Sequence, residues 1–134
     1  MTVSEISKNV SKELQPLKEV LKKLRNEGKV LLAILFGSYA NGKTHKRSDI
    51  DIAIYVNAKN DKEEIEIINE ILLSSERDIN ILRLNDDEES PFIIQEALKG
   101  IHLIEPDKDC LYNVAIKVLH ETEEIRHRRL SSER

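Results

Sequence analysis

Apolar and polar positions along this chain repeat with two periods, and the switches between them mark successive elements. From residue 3 to residue 27, Ile6, Val10, Leu14, Leu17, Leu21 and Leu24 recur every three or four residues, the stripe of an amphipathic helix. Pro16 lies inside that stripe and is expected to kink or restart the helix, because it lacks the N–H that the turn needs. Asn26-Glu27-Gly28 ends it, and the seven apolar residues from Val30 to Phe36 then read as a buried strand. Gly37 to about Asn41 is expected to open a short helix that Gly42 stops. Asp49 to Val56 alternates strictly, with Ile50, Ile52, Ile54 and Val56 on one face and Asp49, Asp51, Ala53 and Tyr55 on the other.

The second half continues the pattern. Asp61 with Glu64 three residues on is a capping-box-like helix start, and Ile65, Ile68, Ile71 and Leu72 are the expected stripe to about Ser74. Asp78 to Leu84 reads as a third strand, placing Asp78, Asn80 and Leu82 opposite Ile79, Ile81 and Arg83. Ser90-Pro91 is a cap followed by proline at the first helical position, and Gly100 closes that helix. Ile101 to Ile104 is a short strand. Asp107 caps a last helix to about Arg128, with Leu111, Ala115, Val118, Leu119, Thr122 and Ile125 expected inward. Helix and strand thus alternate throughout. The expectation is a mixed α/β or α+β domain with four strands.

At 134 residues with no linker or repeat, the chain is expected to form one domain, 1–134. A net charge of −4 argues against a protein whose whole surface coats nucleic acid. The single Cys110 forbids an intrachain disulfide and fits a reducing cytoplasm, where a small apolar role suits it better than a nucleophile's. The N-terminus carries Glu5, Lys8 and Lys12 and does not read as a signal peptide. No apolar run approaches the length of a membrane span.

Chemistry enters at Leu35 to Val56. Gly37-Ser38 stands ten residues before Asp49-Ile50-Asp51. Two carboxylates one residue apart on a strand share a face, and such a pair at the end of a buried strand is costly unless a cation neutralises it. Two Mg²⁺ ions about 3.5–4 Å apart would do so while polarising an α-phosphate and a leaving pyrophosphate. A Gly-Ser turn opening a helix offers backbone amides and a hydroxyl to phosphate oxygens. The bland alternative for the acid pair is an exposed strand start, which the apolar opposite face of Ile50, Ile52 and Ile54 disfavours. Asp78 is the candidate third carboxylate, as a metal ligand or as the base for an acceptor hydroxyl; a solvated Asp beside Arg77 competes with that reading. Lys43, Lys46 and Arg47 lie between the two halves of the motif and are candidates to clamp a triphosphate, against a solvated loop. His45 is weaker, and His102, His120 and His127 match no metal spacing. Asp86-Asp87-Glu88-Glu89 reads as charge at a helix start. Arg126, His127, Arg128 and Arg129 read equally as charge at a helix end or as a contact patch.

These residues resemble the minimal nucleotidyltransferases, or MNT proteins, of the polymerase-β superfamily. Gly37-Ser38, Asp49-Ile50-Asp51 and a later Asp78 match that family's three-part pattern, and the Ser90-Pro91 helix, the strand at Ile101 and the long last helix resemble its layout. The resemblance implies Asp49, Asp51 and Asp78 as catalytic and metal residues, with the nucleotide bound against Gly37 and Ser38; Lys43 and Lys46 are the loop candidates to contact it. It also implies a polymerase-β-like α+β core, a small mixed sheet of about four strands backed by helices, with two Mg²⁺ ions and ATP as substrate. It further implies a HEPN-type ribonuclease toxin as partner, silenced when AMP is transferred to a tyrosine hydroxyl, in an oligomeric complex. One departure is Asn41, where many relatives carry a basic residue. Two other readings stay open: an antitoxin that neutralises by binding alone, and a nucleotidyltransferase acting on a small molecule. The second needs an acceptor pocket for which this length leaves little chain.

Overall fold

Why the two central strands are apolar on both faces is plain from what covers them. A computed structural model describes residues 3–37 and 49–132. The element order is α1 (Val3–Asn26), β1 (Val30–Phe36), β2 (Ile50–Val56), α2 (Asp61–Leu72), β3 (Ile79–Arg83), α3 (Pro91–Ala97), β4 (Ile101–His102) and α4 (Lys108–Ser132). The helix expected from Gly37 to about Asn41 lies outside the described residues apart from Gly37 itself.

The four strands lie in the order β3-β2-β1-β4. β1 is antiparallel to β2 and to β4, and β2 is parallel to β3, so the sheet is mixed as expected. Ala33 and Leu35 of β1 and Ile50, Ile52, Ile54 and Val56 of β2 pack against Leu14, Leu17, Leu21 and Leu24 of α1 and Ile67 and Ile71 of α2. Leu32 and Ile34 of β1 and Ala53 of β2 meet Ile94 and Ala97 of α3 and Val114 and Val118 of α4 on the opposite face. The sheet is a filled middle layer, and burial of these aliphatic side chains, about 1.5–3 kcal/mol each, is its main support.

α1 ends in a Schellman cap. Lys29 N–H donates to the Leu24 carbonyl and Gly28 N–H to that of Arg25. The helix runs unbroken past Pro16 instead of restarting there. Pro16 and Lys12, whose carbonyl loses its partner, are both exposed, so water can satisfy that oxygen.

Other local expectations shift. The cap of α2 is Asn60, whose Oδ1 accepts from Glu63 N–H at 2.8 Å, one residue before the expected box. The inward residues of α2 are Ile67 and Ile71, whereas Ile65 and Leu72 are exposed. On α4 the buried stripe is Val114, Val118 and Thr122; Ala115 and Leu119 face out, with Leu111 and Ile125 half-buried. The start of α4 is as expected, Asp107 Oδ1 accepting from Cys110 N–H at 2.9 Å. β4 has only two residues, but the chain runs on beside β1, Leu103 N–H donating to the Ala33 carbonyl at 2.8 Å, and Leu103 and Ile104 join the α1 core.

Candidate functional site

The two halves of the motif meet where β1 ends and β2 begins. Antiparallel register sets Phe36 opposite Asp51, so Gly37 follows directly beside the Asp51 side chain. Gly37 has φ +74°, and a Cβ built on it would lie 2.5 Å from Asp51 Oδ2. Glycine is required there twice: for its backbone conformation, and for the approach of the turn to the carboxylate.

Parallel register brings β3 to the same end of the sheet and sets Asn80 opposite Asp51. Asn80 Nδ2 donates to Asp49 Oδ2 at 3.2 Å and to Asp51 Oδ1 at 3.1 Å. Two oxygens from different carboxylates therefore converge on one N–H₂ group. Asp49 is exposed and Asp51 half-buried at the rim of the α3/α4 face. Convergent hard oxygens that solvent can reach suit a divalent cation such as Mg²⁺, so the donor set fits the ion the motif implies.

Asp78 stands at the entrance to β3, its carbonyl accepting from Ile50 N–H at 2.9 Å. Extending the register by one residue places it beside Asp49. Among the described residues, however, no three His, Cys, Asp or Glu side chains gather closely enough to hold a metal, and the β3 side chain bonded to both carboxylates is Asn80. Asn80 was legible as a neighbour, since it shares a strand face with Asp78, but not as the contact; only the inter-strand register decides that. Ser38, Lys43, Lys46, His45 and Arg47 lie outside the described residues.

The remaining candidates are mostly engaged elsewhere. Arg126 and Arg129 each lie over the Phe92 ring at 5.8 Å, and Arg128 pairs with Glu124 on the next turn. These contacts make the basic end of α4 largely a clasp onto α3. Asp87 bonds Lys117, which holds its carboxyl below the usual range, while Asp86 pairs with Arg83. Burial, with Asp107 nearby, pushes the Cys110 thiol up to about 11. A thiol so rarely ionised should react with iodoacetamide at pH 7 at least about tenfold more slowly than free cysteine. Mass spectrometry of the alkylated chain over time would show this, and a rate equal to free cysteine would contradict the burial.

A cavity of about 480 Å³ opens between the sheet and α4, lined among others by Tyr55, Leu84, Cys110, Val114 and Lys117. It is at the wrong end of β2 for the acid pair. Tyr55 is four residues along the strand from Asp51, roughly 13 Å at strand rise.

Residues 17–109 match the family model described as polymerase beta, nucleotidyltransferase. No curated protein matches the chain. A crystal structure of a toxin–antitoxin with AMP-PNP shares 23% identity at TM-score 0.64, covering 85% of this chain and 93% of that one. The toxin–antitoxin MntA-HepT follows at 19% and 0.59, covering 87% and 92%. A tri-AMPylated Shewanella oneidensis HEPN toxin in complex with its MNT antitoxin gives 20% and 0.59, covering 89% and 93%. At these identities the likeness establishes a shared fold.

Proposed function

The chain belongs to the polymerase-β nucleotidyltransferase family, and we propose that it transfers AMP from ATP to a hydroxyl of a partner protein, a HEPN-type toxin for which it is the antitoxin. The observation that carries this reading is the convergence of Asp49 Oδ2 and Asp51 Oδ1 beside Gly37. In the reaction the acceptor oxygen bonds to the α-phosphorus, and the bond from that phosphorus to the β-bridging oxygen breaks. Pyrophosphate leaves with the electron pair, and the hydroxyl proton goes to a base. Asp49 and Asp51 would hold divalent cation, which supplies charge neutralisation to the α-phosphate and the leaving group. Gly37 lets the backbone approach the Asp51 carboxylate closely, and Ser38, Lys43 and Lys46 are proposed to seat and clamp the triphosphate. Asp78, beside Asp49 by register, is the proposed base; Asn80 has no proton affinity to offer.

Two features favour a protein acceptor. The cavity under α4 is too far from the carboxylates to present a small molecule to them. Tyr112, Ile116 and Leu119 also form an exposed apolar stripe along α4 at helical spacing, a surface fit for another protein.

A second reading, neutralisation by binding alone, draws on one observation: the third side chain at the carboxylates is a neutral amide. Co-expression of this chain with the product of the neighbouring gene, followed by intact mass measurement of that product, separates the two. A gain of one AMP or a whole multiple is expected. A stable, neutralised complex with no gain in mass would favour binding alone.

A further inference from the structure

Two carboxylates facing one point repel each other, and the side chain of Asn80 bridges them. Asn80 Nδ2 bonds both, one hydrogen to each, at 3.2 and 3.1 Å. Carboxylates only accept, so the nitrogen end of the amide must face them. The amide nitrogen thus occupies the place where a cation would sit. For a cation to enter, Asn80 must turn its Oδ1 inward or withdraw, breaking both bonds. Once turned it offers a neutral oxygen, so the three side chains carry a formal charge of −2 where a third carboxylate would give −3. Ligand charge is a main determinant of divalent affinity at oxygen sites. Both effects weaken binding of a bare cation. A nucleotide triphosphate brings its own oxygens and negative charge and can offset them.

We propose that Asn80 is a positioning residue that bridges Asp49 and Asp51 and sets a low intrinsic cation affinity, so that divalent metal enters with the nucleotide. The inference rests on the metal-site reading above and adds an order of binding to it. It concerns the β3 residue that touches both carboxylates, and it does not depend on whether Asp78 serves as base.

The test uses the full chain and Mn²⁺ as the probe, followed by calorimetry, with and without AMP-PNP. The parent protein should bind Mn²⁺ at least about tenfold more tightly with AMP-PNP than without it. Asn80→Asp should bind Mn²⁺ alone at least about tenfold more tightly than the parent, and lose most of that dependence on nucleotide. A thermal melt gives the independent readout. In EDTA Asn80→Asp should melt below the parent, because a third like charge replaces a donor. Mn²⁺ should raise its midpoint by more than it raises the parent's. Equal Mn²⁺ affinity in parent and variant, each binding the ion, would overturn the role of Asn80 and leave the metal site standing. Absence of Mn²⁺ binding by both proteins, with and without AMP-PNP, would overturn the metal-site reading as well. Binding of Mn²⁺ without nucleotide by Asn80→Asp, with the parent binding it only beside AMP-PNP, would support the proposal; a parent that binds no Mn²⁺ even beside AMP-PNP would overturn it.

Discussion

Asp51→Asn should abolish most nucleotidyl transfer while leaving the fold as stable as before. The expected loss is at least about 10²–10³-fold, the range seen when one electrostatic stabiliser is removed from a transition state. Stability should stay within about 0.5 kcal/mol of the parent. The physical basis is that Asn has the shape of Asp, and its amide oxygen can still accept from Asn80 Nδ2, now at 3.1 Å from Asp51 Oδ1. The register to Phe36 is a backbone property and is untouched. What disappears is one of two negative charges, which removes repulsion within the pair and weakens its hold on a cation. Transfer to the partner protein followed by mass spectrometry, alongside urea unfolding, measures both quantities. Retained transfer would place the reacting centre elsewhere. A drop of about 2 kcal/mol in stability would make Asp51 a structural residue.

The layered fold was legible because the apolar pattern of this chain has clear periods. β1 and β2 have no charged position between Val30 and Phe36 or between Ile52 and Val56, which only a sheet covered on both faces can use. Where the sequence presents two apolar faces at once, the buried face is not legible from spacing alone. α4 carries Tyr112, Ile116 and Leu119 on one side and Val114 and Val118 on another, and nothing local says which side meets the sheet. Packing against α3 decides it, a tertiary effect beyond any single helix. The same holds for α2, where Ile65 has the right spacing yet points to solvent. Asn60 displaced Asp61 as the cap because adjacent Asx residues are nearly equivalent there.

The site was legible in its covalent neighbourhood and not in its third dimension. Asp49 and Asp51 share a face by alternation alone, and Gly37 stands directly after the apolar run that precedes them. Which β3 residue touches them depends on a parallel register that no local turn specifies, since a crossover through α2 separates β2 from β3. Asp78 is the acidic residue on that stretch, and Asn80 is the one whose side chain bonds the pair. A carboxylate is the conspicuous choice when reading for metal ligands. A neutral amide two residues later gives no comparable signal until the strands are aligned.

Gly37→Ala should lose both stability and activity, and Gly28→Ala offers the comparison that separates the two causes. Both glycines have φ +74°, so alanine at either position takes on left-handed strain of about 1–2 kcal/mol. Around Gly28 nothing lies within 4 Å of an added Cβ, so that variant carries the strain and little else. At Gly37 the added carbon would stand 2.5 Å from Asp51 Oδ2, closer than any ordinary contact, and 3.3 Å from its Cγ, a tight one. Either the turn or the carboxylate must move by several tenths of an ångström. Movement of the carboxylate breaks its convergence with Asp49 on a shared cation. A displacement of that order at a reacting centre can cost about 10²-fold in rate. Urea unfolding should therefore show losses of similar size for the two variants, with Gly37→Ala the greater. AMP transfer should fall about 10²-fold for Gly37→Ala and stay near the parent rate for Gly28→Ala. Equal activity in both would show that Gly37 serves only the turn, and that the approach of backbone to carboxylate is incidental to the chemistry.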